Sequence, residues 1–110
     1  MNFTQYQDLA RRTQNPDLNR QARCNHALFG IAAEVGEIHS LYQKVYQGHT
    51  FDVGNLMKEC GDVLWFLAEL CDAEGLNMDD VAVMNIDKLK RRFPEGFSSA
   101  RSLHRNEAQE

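Results

Sequence analysis

Apolar residues recur at intervals of three and four along almost the whole chain, and this period leaves little room for anything but helices. It predicts helices over residues 3–13, 19–47 and 55–75, and a fourth from Asn77 or Asp79 to Phe93, where the following proline stops it. No segment shows the alternating pattern and flanking turns of a β-hairpin. The sequence therefore predicts an all-α four-helix bundle.

The predicted helices occupy residues 1–94, which we interpret as one helical domain. A chain of 110 residues supports a single core, and a compact domain of this size has a radius of gyration of about 13 Å. From Glu95 onward the sequence is too polar to build core. Residues 95–110 are therefore predicted to form an irregular C-terminal tail.

Charge and cysteine content exclude several classes of protein. The chain has 16 acidic and 12 basic residues, a net charge of -4, so its surface repels nucleic-acid backbones and anionic lipid. No apolar run is long enough to span a bilayer. The 3 cysteines form no C-x-x-C pair, which indicates reduced thiols rather than a disulfide framework or a zinc ribbon. We expect a cytoplasmic protein with neither a nucleic-acid nor a membrane partner.

The segment Val63–Ala68 of the third predicted helix is apolar around its whole circumference. Such a segment needs cover on every side, and four short helices offer little covering area. We therefore expect a homodimer or homotetramer built on this segment. The alternative is a monomer whose first and fourth helices wrap around the third.

Two acidic pairs lie in the apolar middle of the second and third predicted helices. They are Glu34 with Glu37, and Glu59 with Asp62. A separation of three residues puts both carboxylates of a pair on one face of a helix. The midpoint of the four positions is Gly48, so an antiparallel hairpin that turns there brings all four carboxylates to the same level.

Four like charges in one place are unfavourable unless they are protonated or bind metal. Oxygen ligands without His or Cys favour Mg²⁺, with Mn²⁺ as the alternative, and four carboxylates balance two divalent ions. A di-iron site would need Glu-x-x-His, and neither Glu37 nor Glu59 has a histidine three residues on. The remaining alternative is a solvated acidic stripe.

Cationic and amide side chains follow one stripe of the fourth predicted helix. Asn85, Lys88 and Arg92 have helical spacing, and Lys44 lies two turns beyond Glu37 on the second helix. Metal ions and basic side chains together suit a polyphosphate. Taken alone, the stripe is equally compatible with a solvated surface near a helix C-terminus.

The ordered set of EVGE, ECGD and NIDKLKRRFPEGF resembles the MazG-type all-α nucleoside triphosphate pyrophosphohydrolases, whose signature is E-x-x-E, a spacer and E-x-x-D. Tyr6, Gln7, Ala10 and Thr13 add a similarity to small bacterial and phage members, and the resemblance covers about residues 3–105. It implies Mg²⁺-dependent hydrolysis of a nucleoside triphosphate to the monophosphate and pyrophosphate. The common Glu-Glu doublet of the first motif is Ala33-Glu34 in this chain, which leaves fewer candidates for the general base.

The resemblance also implies roles for particular residues. The metal ligands are Glu34, Glu37, Glu59 and Asp62, and the phosphate-binding residues are Asn85 and Lys88, followed by Lys44 and Arg92. Either Glu34 or Glu37 serves as the base, a choice that the sequence leaves open. The alternative function is a non-catalytic helical module that binds nucleotide or protein. The residues that recognise the base are also left open. Aromatic side chains at helical spacing are more often core than stacking partners. The candidates for stacking on a base are Tyr6, His26, Phe29, Trp65 and Phe66.

Overall fold

The computed structural model describes residues 1–104, which form five helices and no strand. The helices are α1 (Phe3–Arg11), α2 (Arg20–Tyr46), α3 (Val53–Ala73), α4 (Met78–Arg92) and α5 (Ser99–Leu103). The all-α prediction is confirmed, and the first four helices are the four that the sequence predicts. None of the five is both long and apolar enough to cross a membrane.

Capping residues set the ends of the two long helices. Asn19 accepts a hydrogen bond from the backbone of Ala22 at the start of α2, and Asp52 does the same for Asn55 at the start of α3. Asp52 therefore starts α3 at Val53, earlier than the predicted Asn55. Gly48, with a φ of 96°, turns the chain between them, because this backbone conformation is strained for other residues.

The helices α2 and α3 form an antiparallel hairpin. Arg20 and Glu74 form an ion pair of 2.8 Å at its open end, and the rings of Tyr42 and Phe51 lie 4.8 Å apart near the turn. Between them the helices come close at Gly30, where a Cβ atom would lie 2.2 Å from Cε1 of Phe66. Only glycine leaves room for the ring as it stands.

Polar contacts tie α1 and α4 to the end of this hairpin. The buried amide of Gln7 donates to the carbonyl of Leu76 (2.8 Å) and accepts from the backbone of Met78 (2.8 Å). Asp79 in turn accepts hydrogen bonds from the backbone of Phe3 and Thr4, the first residues of α1. The start of α4 is thereby fixed against α1, and α4 packs mainly on α1.

The expected radius of about 13 Å is wrong, since the described chain has a radius of gyration of 17.4 Å. The reason is that α4 lies on α1 and does not close a compact bundle with the α2–α3 hairpin. Large apolar side chains of α4 remain exposed, among them Val83 (59%) and Met84 (73%). In the segment Val63–Ala68, by contrast, Ala68 is fully buried and Leu67 is 39% exposed, so the protomer covers part of it.

The segment after α4 also differs from the expectation. Residues 95–110 were expected to be irregular, but Ser98 accepts a hydrogen bond from the backbone of Arg101 and starts the short helix α5. The guanidinium of Arg101 donates to the carbonyl of Arg92 at 2.9 Å, which ties α5 to the end of α4. Residues 105–110 of the expected tail lie outside the described residues.

Asp72 of α3 bonds to residues of α1 and α2. We expect its contribution to stability to depend on pH. Partial burial acts to raise the pKa of Asp72, but hydrogen bonds from Arg11 and Gln7, with the charges of Arg11 and Arg23, outweigh it and lower the pKa below its ordinary value. The carboxylate therefore stabilises the fold above its unfolded-state pKa of about 3.9, and this contribution is lost as the pH falls from there through the lower folded-state pKa. We expect Asp72→Asn to reduce the free energy of unfolding by about 1–3 kcal/mol at neutral pH and to flatten its decline at acid pH, as measured by urea denaturation.

Asp8→Asn is the matched control. Asp8 also pairs with Arg11, at 2.9 Å, but its side chain is 63% exposed, so its loss should cost under about 1 kcal/mol. Equal losses in the two variants would contradict the role assigned to Asp72.

Candidate metal centre

The hairpin brings together acidic side chains from two helices. One carboxylate oxygen from each of Glu34, Glu59 and Asp62 lies within 4.8 Å of the others. Glu34 belongs to α2, and Glu59 and Asp62 belong to α3. These are three of the four ligands predicted from the sequence, and Glu37 lies outside this group. We refer to Glu34, Glu59 and Asp62 as the acidic cluster.

The acidic cluster carries uncompensated negative charge. A hydrogen bond with Glu59, partial desolvation and the charges of Glu59, Asp62 and Glu37 together raise the pKa of Glu34 to about 7. All the charges in this set are negative. In addition, Oε2 of Glu59 is buried and has no hydrogen-bond partner among the described residues. The cluster therefore has both unsatisfied charge and an unsatisfied acceptor.

These properties fit a hard divalent cation. The donors are all carboxylate oxygens, which Mg²⁺, Mn²⁺ and Ca²⁺ prefer over the nitrogen and sulfur ligands of zinc or copper. The free oxygen of Glu59 is an available ligand atom, and a cation would remove the repulsion that raises the pKa of Glu34. The acidic cluster is thus a candidate metal centre.

The predicted phosphate-binding residues are on the second and fourth helices of the described chain. Lys44 is exposed near the end of α2, Asn85 is exposed on α4 and Lys88 is half-buried there. Within residues 1–104, no hydrogen bond or ion pair joins these three side chains to the acidic cluster. Arg92 lies in the last turn of α4, where its carbonyl accepts from Arg101. The hairpin thus assembles the acids, whereas Asn85 and Lys88 of α4 are not bonded to them within the described chain.

Two further features near the acidic cluster were not predicted. Desolvation and the negative charge of Asp62 raise the pKa of Tyr6, which places this α1 side chain close to the cluster. Farther along the hairpin, the fully buried Glu69 contacts His26, with 2.6 Å between Oε1 and Nδ1. Spacing puts Glu69 two helical turns beyond Asp62 on the same face of α3, but it does not show that this carboxylate is buried.

Comparison with protein families identifies the chain. The profile of the MazG nucleotide pyrophosphohydrolase domain matches residues 25–97. The chain belongs to the MazG family. The matched region begins within α2 and extends past the end of α4, so it contains both acidic pairs and the Asn85–Arg92 stripe, whereas α1 precedes it. Comparison with curated proteins gave no significant match, and neither did comparison with solved structures. Membership of the MazG family implies a nucleotide substrate and nucleotide pyrophosphohydrolase activity.

The charge repulsion in this MazG domain predicts an unusual stability effect. We expect Glu34→Gln to raise the melting temperature by a few degrees in the presence of EDTA, because the substitution removes one of the mutually repelling charges. The same variant should gain less stability from added MgCl₂ than the wild type, because it has lost a ligand. Thermal denaturation in the two buffers measures both effects.

Glu95→Gln makes the same chemical change at an exposed residue beyond α4 and should leave both melting temperatures unchanged. An unaltered response of Glu34→Gln to MgCl₂ would remove Glu34 from the metal centre.

Proposed function

We propose that this MazG domain is a Mg²⁺-dependent hydrolase that converts nucleoside or deoxynucleoside triphosphates to monophosphates and pyrophosphate, with Mn²⁺ as an alternative cation. The observation that carries the proposal is the acidic cluster, in which carboxylates from two helices of a MazG domain converge within 4.8 Å. The free thiols of Cys24, Cys60 and Cys71 support a reducing compartment, the cytoplasm, where such an enzyme controls the nucleotide pool.

The acidic side chains have two proposed roles, which are to bind the metal ion and to accept a proton. Glu34, Glu59 and Asp62 would hold the cation, with Glu37 as a fourth ligand. Mg²⁺ at such a site supplies neutralisation of phosphate oxygens and activation of water. Water attacks the α-phosphorus, the bond to the β-phosphate oxygen breaks, and pyrophosphate leaves. Glu37 or Glu34 accepts the proton of the attacking water.

Polar residues of α4 are proposed to bind the phosphates from a second copy of the chain. Asn85 and Lys88 have no contact with the acidic cluster of their own protomer, and α4 exposes Val83 and Met84 beside them. An apolar surface of this kind is typical of a subunit interface. A homodimer or homotetramer that buries α4 against a partner hairpin would bring Asn85, Lys88 and Arg92 toward the partner's acids, with Lys44 as a further phosphate ligand.

The second candidate function is a helical module that binds nucleotide or protein without turnover. Such a module does not need a complete set of acids. In this chain both acidic pairs are intact, and three of their four carboxylates converge. This observation favours the enzyme.

The hydrolase proposal predicts a specific product. A panel of canonical and damaged nucleoside triphosphates with MgCl₂ should yield pyrophosphate rather than orthophosphate. We expect Asp62→Asn and Glu37→Gln each to lower kcat by at least about 100-fold, because both remove groups that bind the cation or the proton. Circular dichroism should show an intact fold in both variants.

Asp17→Asn removes the same charge from an exposed position between α1 and α2 and should retain full activity. Full activity of Asp62→Asn would exclude Asp62 from the site. The absence of any pyrophosphate release by the wild type across the panel would favour the non-catalytic module.

If α4 of one subunit completes the site at the acidic cluster of another, which we call the shared site, two inactive variants should complement each other. Lys88→Ala should bind substrate weakly, because a cation that contacts the phosphates is lost. If Lys88 acts on the partner's acidic cluster, a mixture of Lys88→Ala and Asp62→Asn subunits regains part of the wild-type activity after unfolding and refolding together. Pyrophosphate release by the mixture, compared with each variant alone, measures this.

The exposed Arg12 at the end of α1 supplies the control, since Arg12→Ala should keep wild-type kinetics. Light scattering of the wild type should show a dimer or tetramer. A monomer, or mixtures no more active than their components, would overturn the shared site.

A further inference from the structure

A second polar site lies on the hairpin beyond the acidic cluster, around a buried carboxylate. Glu69 is 0% exposed, and one of its oxygens lies 2.6 Å from Nδ1 of His26. Its other oxygen, Oε2, is buried and has no hydrogen-bond partner among the described residues. A buried and incompletely paired carboxylate is unfavourable for folding. Packing alone therefore gives no reason for Glu69 at this position.

The distance from the acidic cluster matches the length of a nucleotide. His26 precedes Glu34 by eight residues on α2, and Glu69 follows Asp62 by seven on α3. At a rise of about 1.5 Å per residue, the pair lies about 10–12 Å along the hairpin from the cluster. A spacing of seven residues is close to two helical turns, so Glu69 lies on the same side of α3 as Asp62, and His26 contacts Glu69 from the facing helix. A nucleotide with its phosphates at the cluster extends its sugar and base over this distance.

Aromatic rings border the pair. The ring of His26 lies 5.5 Å from that of Phe66 and 6.4 Å from that of Trp65, both in edge contacts. Trp65 is held in place by a hydrogen bond of 2.8 Å from Nε1 to the hydroxyl of Thr13. The side chain of His26 is 50% exposed. The site therefore offers a planar ligand apolar ring surface and one accessible polar edge.

The polarity of that edge follows from the contact with Glu69. A carboxylate serves as a hydrogen-bond acceptor, so we assign the proton of this 2.6 Å contact to Nδ1 of His26. In the neutral imidazole, Nε2 is then an acceptor, and the unpaired oxygen of Glu69 adds negative potential behind it. An N–H donor is attracted to this edge, whereas a carbonyl oxygen is repelled.

We propose that His26 and Glu69 form the nucleobase subsite of this chain, and that it selects cytosine and adenine, which carry an amino group at the ring position where uracil, thymine and guanine carry a carbonyl oxygen. Cytosine and uracil are the sharpest comparison, because an amino group in one replaces a carbonyl oxygen in the other. His26 is the residue that contacts the base, and Glu69 is a positioning residue that fixes the imidazole. The proposal rests on the proposed function for the place of the triphosphate, but the base contact itself requires no hydrolysis.

Trp65 provides a direct measurement, because it is the only tryptophan in the chain. We expect deoxycytidine to change its fluorescence, excited at the red edge of the absorption band, in the full-length protein without divalent cation. The apparent Kd for deoxycytidine should be about tenfold lower than that for deoxyuridine, the discrimination typical of one good hydrogen-bond pair. Equal affinities, tighter binding of deoxyuridine, or no response to either nucleoside would overturn the proposal.

Variants distinguish the base contact made by His26 from the positioning of its imidazole by Glu69. His26→Ala should abolish the preference for deoxycytidine, and His39→Ala, an exposed histidine on the same helix, should retain it. Glu69→Gln keeps an acceptor for Nδ1 but removes the charge, so the preference should decrease, with KM for deoxycytidine triphosphate raised and kcat retained. A preference unchanged in His26→Ala would overturn the assignment. The wild-type ratio needs no variant, so the test stands even if Glu69→Gln fails to fold.

Steady-state kinetics distinguish this proposal from the hydrolase itself. Preference for deoxycytidine without pyrophosphate release from any triphosphate would support the base subsite and overturn the proposed function. Hydrolysis of deoxycytidine and deoxyuridine triphosphates with equal kcat/KM, and no fluorescence response to the nucleosides, would overturn the subsite and leave the hydrolase.

Discussion

Close packing between α2 and α3 is the constraint on which the other features depend. The helices approach closely at Gly30, which leaves the space that the ring of Phe66 fills. This approach brings the facing helices near enough for carboxylate oxygens of Glu34, Glu59 and Asp62 to lie within 4.8 Å of one another. The size of residues at the helix contact thus sets the geometry of the candidate metal centre.

The adjacent carboxylates destabilise the middle of the hairpin, and contacts elsewhere in the fold offset this destabilisation. A hydrogen bond with Glu59, partial desolvation and repulsion together raise the pKa of Glu34 to about 7. Asp72, ten residues beyond Asp62 on α3, is instead paired with Arg11 and Arg23. Gln7 bonds both to Asp72 and to the start of α4. One end of the hairpin therefore holds the small fold together, and the middle carries charges that only a ligand or a cation can satisfy. Such a division between stability and function is common in binding sites.

The sequence predicted the features that depend on neighbouring residues along the chain, which are the helices and the placement of the acidic pairs. Periodicity located the helices, with Asn77 or Asp79 as the start of the fourth, and the mirrored acidic pairs about Gly48 predicted the convergence of four carboxylates, of which Glu34, Glu59 and Asp62 lie together. It could not predict pairings that depend on the packing of α1, such as those of Gln7, or the place of α4 against α1. The pairing of His26 with Glu69 also escaped prediction, because neither residue type nor spacing shows whether a carboxylate is buried. The radius was wrong for a related reason, since a formula for compact domains assumes that the helices close on one another.

The expanded protomer and the uncompensated acids have a common explanation under the proposed assembly. A chain that leaves Val83 and Met84 of α4 exposed has apolar surface to bury. Association through that surface would carry Lys88 toward acids that pair with no basic side chain of residues 1–104. Burial of α4 and neutralisation of the acidic cluster would then be one event. Substrate phosphates would strengthen the association of subunits, because they bind the basic side chains of one subunit and the metal centre of the other. Assembly and nucleotide binding would be thermodynamically linked, each increasing the affinity of the other.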